Sequence, residues 1–563
     1  MFEVFALPPA PSHAPVEIVA PLRVAAAGDF VTRSGPPSIG MGLNGISDWS
    51  TEHPFLDLMK SARPWVGHLP GQWGGWEHAD LERAGALDAD GWPRRIPREL
   101  AGISTLILTD QPEAGRSLAG RYLLRYRGTG EIEVDGRVSR VERRPGEIRF
   151  DYTPGPGSVI VTIKATDPGA RGDHVRDIRI TAERDTAHAD AGGLFNPRWL
   201  ARVGGIRAAR FMDWMDTNNS TQTDWADRPK PGDYTYARAG VPVEVMVALA
   251  NRLGADPWFN MPHRASDAYV AAFASYVRDH LDPRRRAHVE YSNEIWNWQF
   301  DQAAFARDQA RSRWGRRSGD DACMQYAGVR AAEVAEIWRE VFGAGSDRLV
   351  RVIATQTDWP GLETPLLEAP LHAGGGGAGA PFDAYAVTGY FGGALGGDKA
   401  PMVRGWLAEG ERGALARALR ELDDGRLSGD PSDSIKRLTG ELWPYHARVA
   451  RAHGLDLVMY EGGTHVVGQG DATEDAALTA FFATLNYSEG MGALHARLLE
   501  GWRSAGGTLF TAFVDVAGPS RWGSWGALRH LDDDTPRWRA LRSFNTDNPA
   551  WWDSRPASDF TPR

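Results

Sequence analysis

His288-Val-Glu-Tyr-Ser-Asn-Glu-Ile-Trp-Asn-Trp298 opens as a strand and stops being one at Asn293-Glu294. A carboxylate at the end of a buried strand, preceded by an amide and followed by Trp296 and Trp298, is costly to desolvate unless it is used. Burial raises a glutamate pKa, which suits a proton donor working near neutral pH. A capping or ion-paired glutamate in a βα loop would look the same in isolation, so the reading turns on a second stretch.

That stretch is Leu455-Asp-Leu-Val-Met-Tyr-Glu-Gly-Gly-Thr464, an apolar run that delivers Glu461 to a pair of glycines permitting close approach to the backbone. Two carboxylates on different strands of one sheet can be held at a fixed spacing. Hydrolysis of a glycosidic bond requires such a pair: one protonates the leaving oxygen, and the other attacks the anomeric carbon or activates water against it.

Ser292-Asn293-Glu294 at a fourth strand and Tyr460-Glu461-Gly462 at a seventh resemble the clan A glycoside hydrolases, retaining (β/α)8-barrel enzymes that include cellulases, mannanases, xylanases and β-glycosidases. The resemblance implies a hydrolase of β-type bonds in a polysaccharide or oligosaccharide, acting by double displacement without metal or cofactor. It implies Glu294 as acid/base, Glu461 as nucleophile and Asn293 as a partner of the sugar 2-hydroxyl. It also implies that Arg210 orients the nucleophile from the second strand, that Tyr390 donates to it from the sixth, and that Trp522 or Trp525 forms a sugar platform after the eighth. Trp214, His263 and Trp296 are further expected substrate contacts near the mouth. Ile295 stands where many cellulase-type members have proline, so no family within the clan is identified. A barrel that binds carbohydrate with little or no catalysis is the alternative, since a fold does not fix a function.

The chain of 563 residues exceeds one ordinary core and fits a TIM barrel plus a second unit. From about 100 to 184 the period changes to short alternating segments such as Glu147-Ile-Arg-Phe-Asp-Tyr152, separated by Gly/Pro/Asp turns. The expected fold is therefore α/β, a (β/α)8 barrel over 36–76 and 187–545 interrupted by an antiparallel β-sandwich over 77–186. An N-terminal arm over 1–35 and a tail over 546–563 flank them. Within the barrel, Pro54 to Arg63 carries helical spacing, Gly71 to Trp76 reads as a loop, and single helices are expected over about 302–342 and 473–505.

A net charge of −10 and no extended basic block argue against a nucleic-acid partner, and Arg284-Arg285-Arg286 reads as a solvated loop. No apolar run is long enough to span a membrane. The single cysteine, Cys323, reads as a small buried hydrophobe, and no His spacing around His263 suits a metal. The 22 tryptophans suit stacking on sugar faces, although more than half should fill core. Met1 to Ala10 lacks the basic and apolar regions of a signal peptide. Polymer degradation nonetheless places the expected location outside the cytoplasm or in the periplasm, with a smaller intracellular sugar as the alternative. Nothing in the sequence sets the oligomeric state.

Overall fold

The computed structural model describes residues 35–315, 321–372 and 381–561. Eight parallel strands close into a barrel: Ile39–Gly42, Ala208–Arg210, Asp256–Met261, Ala287–Tyr291, Leu349–Ala354, Ala384–Phe391, Asp456–Thr464 and Phe510–Ala512, the last pairing with the first. Alternate residues face the lumen, where the small side chains of Ala208, Ala384 and Ala386 leave room for Trp258 and Tyr460. The opposite parity packs outward against the helices, as Met459 and Val387 do. Gly254, at φ 68°, ends the helix Val243–Leu253 in the left-handed conformation that favours glycine.

The inserted unit is a sandwich of two antiparallel sheets lying between the first and second barrel strands. One sheet orders Arg176–Ala182, Gly120–Arg127, Glu147–Tyr152 and Ser139–Arg144. The other orders Gly75–Trp76, Val66–His68, Gly102–Ile107, Val159–Thr166 and Gly130–Gly136. Ile148, Phe150 and Tyr152 alternate inward to meet Ile103, Val161 and Ile132 of the facing sheet in a core separate from the barrel's. Asp48 ties the units together, accepting from Arg63 Nε and Nη2 at 3.0 and 2.8 Å and from the Thr109 hydroxyl.

Several local expectations differ from the structure. Pro54 to Arg63 forms only the short 3-10 turn Leu58–Ser61, because Phe55 pairs with Phe195 and the Asp57 carboxylate accepts from both Met59 N and Ile180 N. Gly75–Trp76, read as loop, is a strand paired with Val66–His68. The single helices expected over 302–342 and 473–505 are each two, Asp301–Trp314 with Ala322–Phe342 and Ala476–Asn486 with Glu489–Ser504. Ser488 caps the last of these by accepting from Met491 N. The N-terminal arm, except residue 35, and the glycine run 374–379 lie outside the described residues. Cys323 is buried, as expected.

The arginine triplet is not a solvated loop. It sits at the N-terminal end of the barrel, where Arg285 is buried against the Gly254 carbonyl and Arg286 faces Asp553 at 3.4 Å. There Asp256 accepts from Arg555 and lies 3.5 Å from Arg207, whose Nη2 also meets Asp553. Burial would raise the Asp256 carboxyl, but Arg555 and Arg207 outweigh it and hold its pKa below the usual value. A depressed folded-state pKa contributes stability that is present above the unfolded pKa and lost as pH falls through the folded one. Replacing Asp256 by Ala leaves Arg207 and Arg555 to share Asp553 alone and is expected to destabilise the barrel by about 3 kcal/mol at pH 7, with a smaller difference near pH 3. Thermal unfolding of both forms across pH checks this.

Candidate active site

The site is built at the C-terminal rim of the strands, where the βα loops of a barrel gather. Arg210, the last residue of the second strand, is 1% exposed and points into the lumen. Its Nη1 donates to Glu461 Oε1 at 2.5 Å, and its Nη2 donates to Glu290 Oε2 at 3.1 Å and to Asn293 Oδ1 at 3.0 Å. The guanidinium also lies over the Tyr460 and Trp258 rings, 5.1 and 5.5 Å from their centroids. Trp258 Nε1 and Asn260 Nδ2 complete the shell of Glu290 at 2.9 and 2.8 Å.

Glu461 is 5% exposed, and its second oxygen accepts from the Tyr390 hydroxyl at 2.8 Å. Strict alternation along the seventh strand would face Tyr460 inward and Glu461 outward. The register against the sixth strand shifts at this point, with Val387 opposite Met459 but Thr388 opposite Glu461. That bulge inserts one residue and lets both Tyr460 and Glu461 turn toward the lumen, as bulges beside functional sites do.

Glu294 sits just past the fourth strand, with its own φ at 40° and that of Ser292 at 60°, both in the left-handed region that non-glycine residues adopt at a cost. Its oxygens accept from the Tyr460 hydroxyl at 2.9 Å and from Asn297 Nδ2 at 3.0 Å. It is half-buried and lines a cleft of about 590 Å³ together with Trp296, Trp298, Trp359 and Tyr390.

Burial pushes the Glu461 carboxyl up to about 8, with Arg210 pulling it down and the charges of Glu294 and Asp213 adding to the rise. Tyr390 and Tyr460 are each raised well above 10, by burial first and then by the charges of both glutamates. Both phenols therefore keep their protons and donate them in hydrogen bonds to the carboxylates. Both Glu461 oxygens are occupied by donors that favour its charged form, whereas Glu294 is the carboxyl that reaches the cleft.

Of the expected site residues, Glu294, Glu461, Arg210, Asn293 and Tyr390 form this one network, and Trp296 lines the cleft with its ring 6.4 Å from Tyr460. Trp525 packs edge-on to Tyr390 and Phe513 at 6.0 and 5.8 Å, while Trp522 is 64% exposed beneath Arg521. Trp525 is thus the better placed of the pair. Trp214 is not at the mouth: it is buried, stacked on Trp199 at 5.8 Å, and donates to the Asn44 carbonyl. His263 is buried as well, its ring against Phe305 and its pKa lowered to about 4 by burial.

Sequence reasoning passed over Glu290, although a carboxylate inside an apolar strand demands a partner. It also missed Asn218 and Gln302. Gln302 Nε2 donates to Asn218 Oδ1 at 2.7 Å and to the Asn293 carbonyl at 2.9 Å, and Asn293 Nδ2 donates to Asn218 at 3.2 Å. The other N–H of Asn293 has no hydrogen-bond partner among the described residues. Among the described residues no cluster of His, Cys, Asp or Glu could hold a metal ion, and no helix is long and apolar enough to cross a membrane.

No family model matches the chain, and no curated protein matches it. Among solved structures it is similar to a family 5 broad-specificity endoglucanase from Bacteroides salanitronis, at 10% identity over 61% of this chain and 82% of that one, TM-score 0.33. It is similar to a xylanase from Cellvibrio japonicus in complex with xylopentaose, at 10% identity over 88% and 99%, TM-score 0.28. A family 5 mannosidase from Rhizomucor miehei is similar at 10% identity over 61% and 83%, TM-score 0.28. Likeness at this level leaves the reading of the site to its own geometry.

Tyr390→Phe removes a donor that favours charged Glu461, so the carboxyl pKa rises and the ascending limb of a pH–rate profile moves to higher pH. The rate is expected to fall on the order of 10²-fold. A limb that stays in place or moves to lower pH contradicts this role for the phenol.

Proposed function

We propose that this protein is a retaining glycoside hydrolase acting on β-type bonds of a polysaccharide or oligosaccharide. The observation that carries the reading is the division of labour between the two glutamates. Arg210 and Tyr390 hold both oxygens of Glu461 in place, and Glu294, steadied by Tyr460 and Asn297, is presented to the cleft.

In the first step Glu461 attacks the anomeric carbon as the bond to the glycosidic oxygen breaks, and the Glu294 proton passes to that oxygen. Ester formation removes the negative charge from Glu461. Glu294, left as a carboxylate by the proton transfer, accepts a proton from water as the water oxygen attacks the same carbon. The ester bond breaks, Glu461 recovers its charge, and two inversions leave net retention. Arg210 and Tyr390 orient the nucleophile throughout, and the free N–H of Asn293 is available to a sugar hydroxyl.

Trp298 and Trp359, 59% and 56% exposed, flank the cleft on loops after the fourth and fifth strands. Flat rings left in water at a cleft edge suit the apolar faces of successive sugars, which favours a chain over a single small glycoside. A polymer substrate would place the working location outside the cytoplasm.

Glu461→Gln is expected to abolish turnover with folding intact, and Glu294→Gln to lose most activity on substrates with poor leaving groups while sparing activated nitrophenyl glycosides. Nuclear magnetic resonance of the first-formed anomer should find retention. A Glu461→Gln protein that keeps near-normal rate, or inversion of configuration, rules the mechanism out. Trp298→Ala and Trp359→Ala are expected to raise KM for a polymer about tenfold, equivalent to 1–2 kcal/mol of stacking, and to leave nitrophenyl glycosides little changed.

A further inference from the structure

A second groove, of about 770 Å³, opens where the sandwich meets the barrel. Arg116, Ser117 and Arg184 line it from the sandwich, and Arg198, Arg529 and His530 from the barrel. Four guanidiniums face one groove in a chain whose net charge is −10. Their pairing is uneven. Arg529 is held bidentately by Asp533 at 2.7 and 2.9 Å. Arg184 donates to the Ala119 and Ser117 carbonyls and lies 3.5 Å from Asp185. Asp532, which also lines the groove, accepts from Ser117 N at 2.7 Å. Arg116 and Arg198 are exposed, and among the described residues no carboxylate pairs with either. His530 is nine-tenths buried, and its Nδ1 has no hydrogen-bond partner among the described residues.

The groove lies on the same rim of the barrel as the cleft. Arg529 and His530 follow the eighth strand on the segment that also carries Trp522 and Trp525. Arg198 opens the helix Pro197–Val203, whose N-terminus faces the rim where the βα loops gather. A guanidinium presents a planar fork matched to carboxylate and to sulfate, and a protein acidic overall attracts a polyanion only through a local patch of this kind. A space of this volume takes a ligand of several rings rather than one small ion.

We propose that this groove binds the carboxylate or sulfate groups of an acidic polysaccharide. The saccharide nature of the ligand rests on the hydrolase reading; the anionic chemistry rests on the groove alone. The test is electrophoretic retardation of the full chain carrying Glu461→Gln, so that polymer is not consumed, in gels containing polygalacturonate, chondroitin sulfate or neutral hydroxyethyl cellulose. Retardation is expected in at least one anionic gel, weakening with salt and reduced at least about tenfold by the further pair Arg116→Glu and Arg198→Glu. Retardation confined to polygalacturonate assigns carboxylates, and retardation confined to chondroitin sulfate assigns sulfate esters. No retardation in either anionic gel, or equal retardation with and without the arginine substitutions, overturns the proposal. Because the readout is binding by an inactive variant, its failure leaves the hydrolase reading standing, and failure of hydrolysis in the unsubstituted chain leaves the anion site standing.

Discussion

One buried cation organises the functional end of this molecule. Arg210 is sealed from water at the end of a three-residue strand, and a guanidinium in that position is tolerable only if acceptors surround it. Glu290 and Asn293 come from the fourth strand and the loop that follows it, and Glu461 comes from the seventh. Each contact closes a gap across the lumen. Removing any one of them leaves a guanidinium N–H without its acceptor in a space that excludes water, so the network that ties the second, fourth and seventh strands together also fixes the carboxylates. Arg210 directly faces two glutamates, and Glu294 adds a third carboxyl to the same field. Burial first, and then the neighbouring carboxylates against the pull of Arg210, raises the Glu461 carboxyl above its ordinary value.

The opposite end of the barrel repeats the device for a different purpose. Arg207, three positions before Arg210, meets Asp256 and Asp553 where the C-terminal tail returns to the strand beginnings. Arg555 and Phe560 of that tail close over it and over Arg285. Ion pairs at the strand beginnings brace the barrel, and those at the strand ends hold Glu461 and Glu290 in the lumen. The sandwich leaves the barrel from the functional rim and carries its own core, so it can shape that rim without entering the barrel's packing.

Much of the site was legible because a strand period and a strand-end carboxylate are local features. Glu294, Glu461, Arg210, Asn293 and Tyr390 meet in one network. Trp214 and His263 are expected at the mouth because the sequence runs the second and third strands on to them, yet those strands end at Arg210 and Met261, and past a strand end the period of two no longer says which way a side chain turns. Trp214 turns back onto Trp199, and His263 onto Phe305, each covering core that comes from distant sequence. Asn218 and Gln302 left no pattern to read, since amides in loops are common and only their meeting with Asn293 gives them a part. The same limit applies to Arg285, whose neighbours in the chain suggest solvent and whose neighbours in space are Gly254, Arg348 and Phe560.

The sequence by itself marked the alternating segments of the inserted sandwich, because periodicity and turn chemistry are written over a few consecutive residues, and its resemblance to the clan A barrels implied the closed barrel and singled out Glu294 and Glu461. Tertiary structure alone decided where those glutamates point. Alternation on the seventh strand would turn Glu461 away from the lumen, and only the extra residue at Tyr460, seen as a slip of register against the sixth strand, brings it round to Arg210. A bulge is a relation between two strands, and a single strand carries no mark of it.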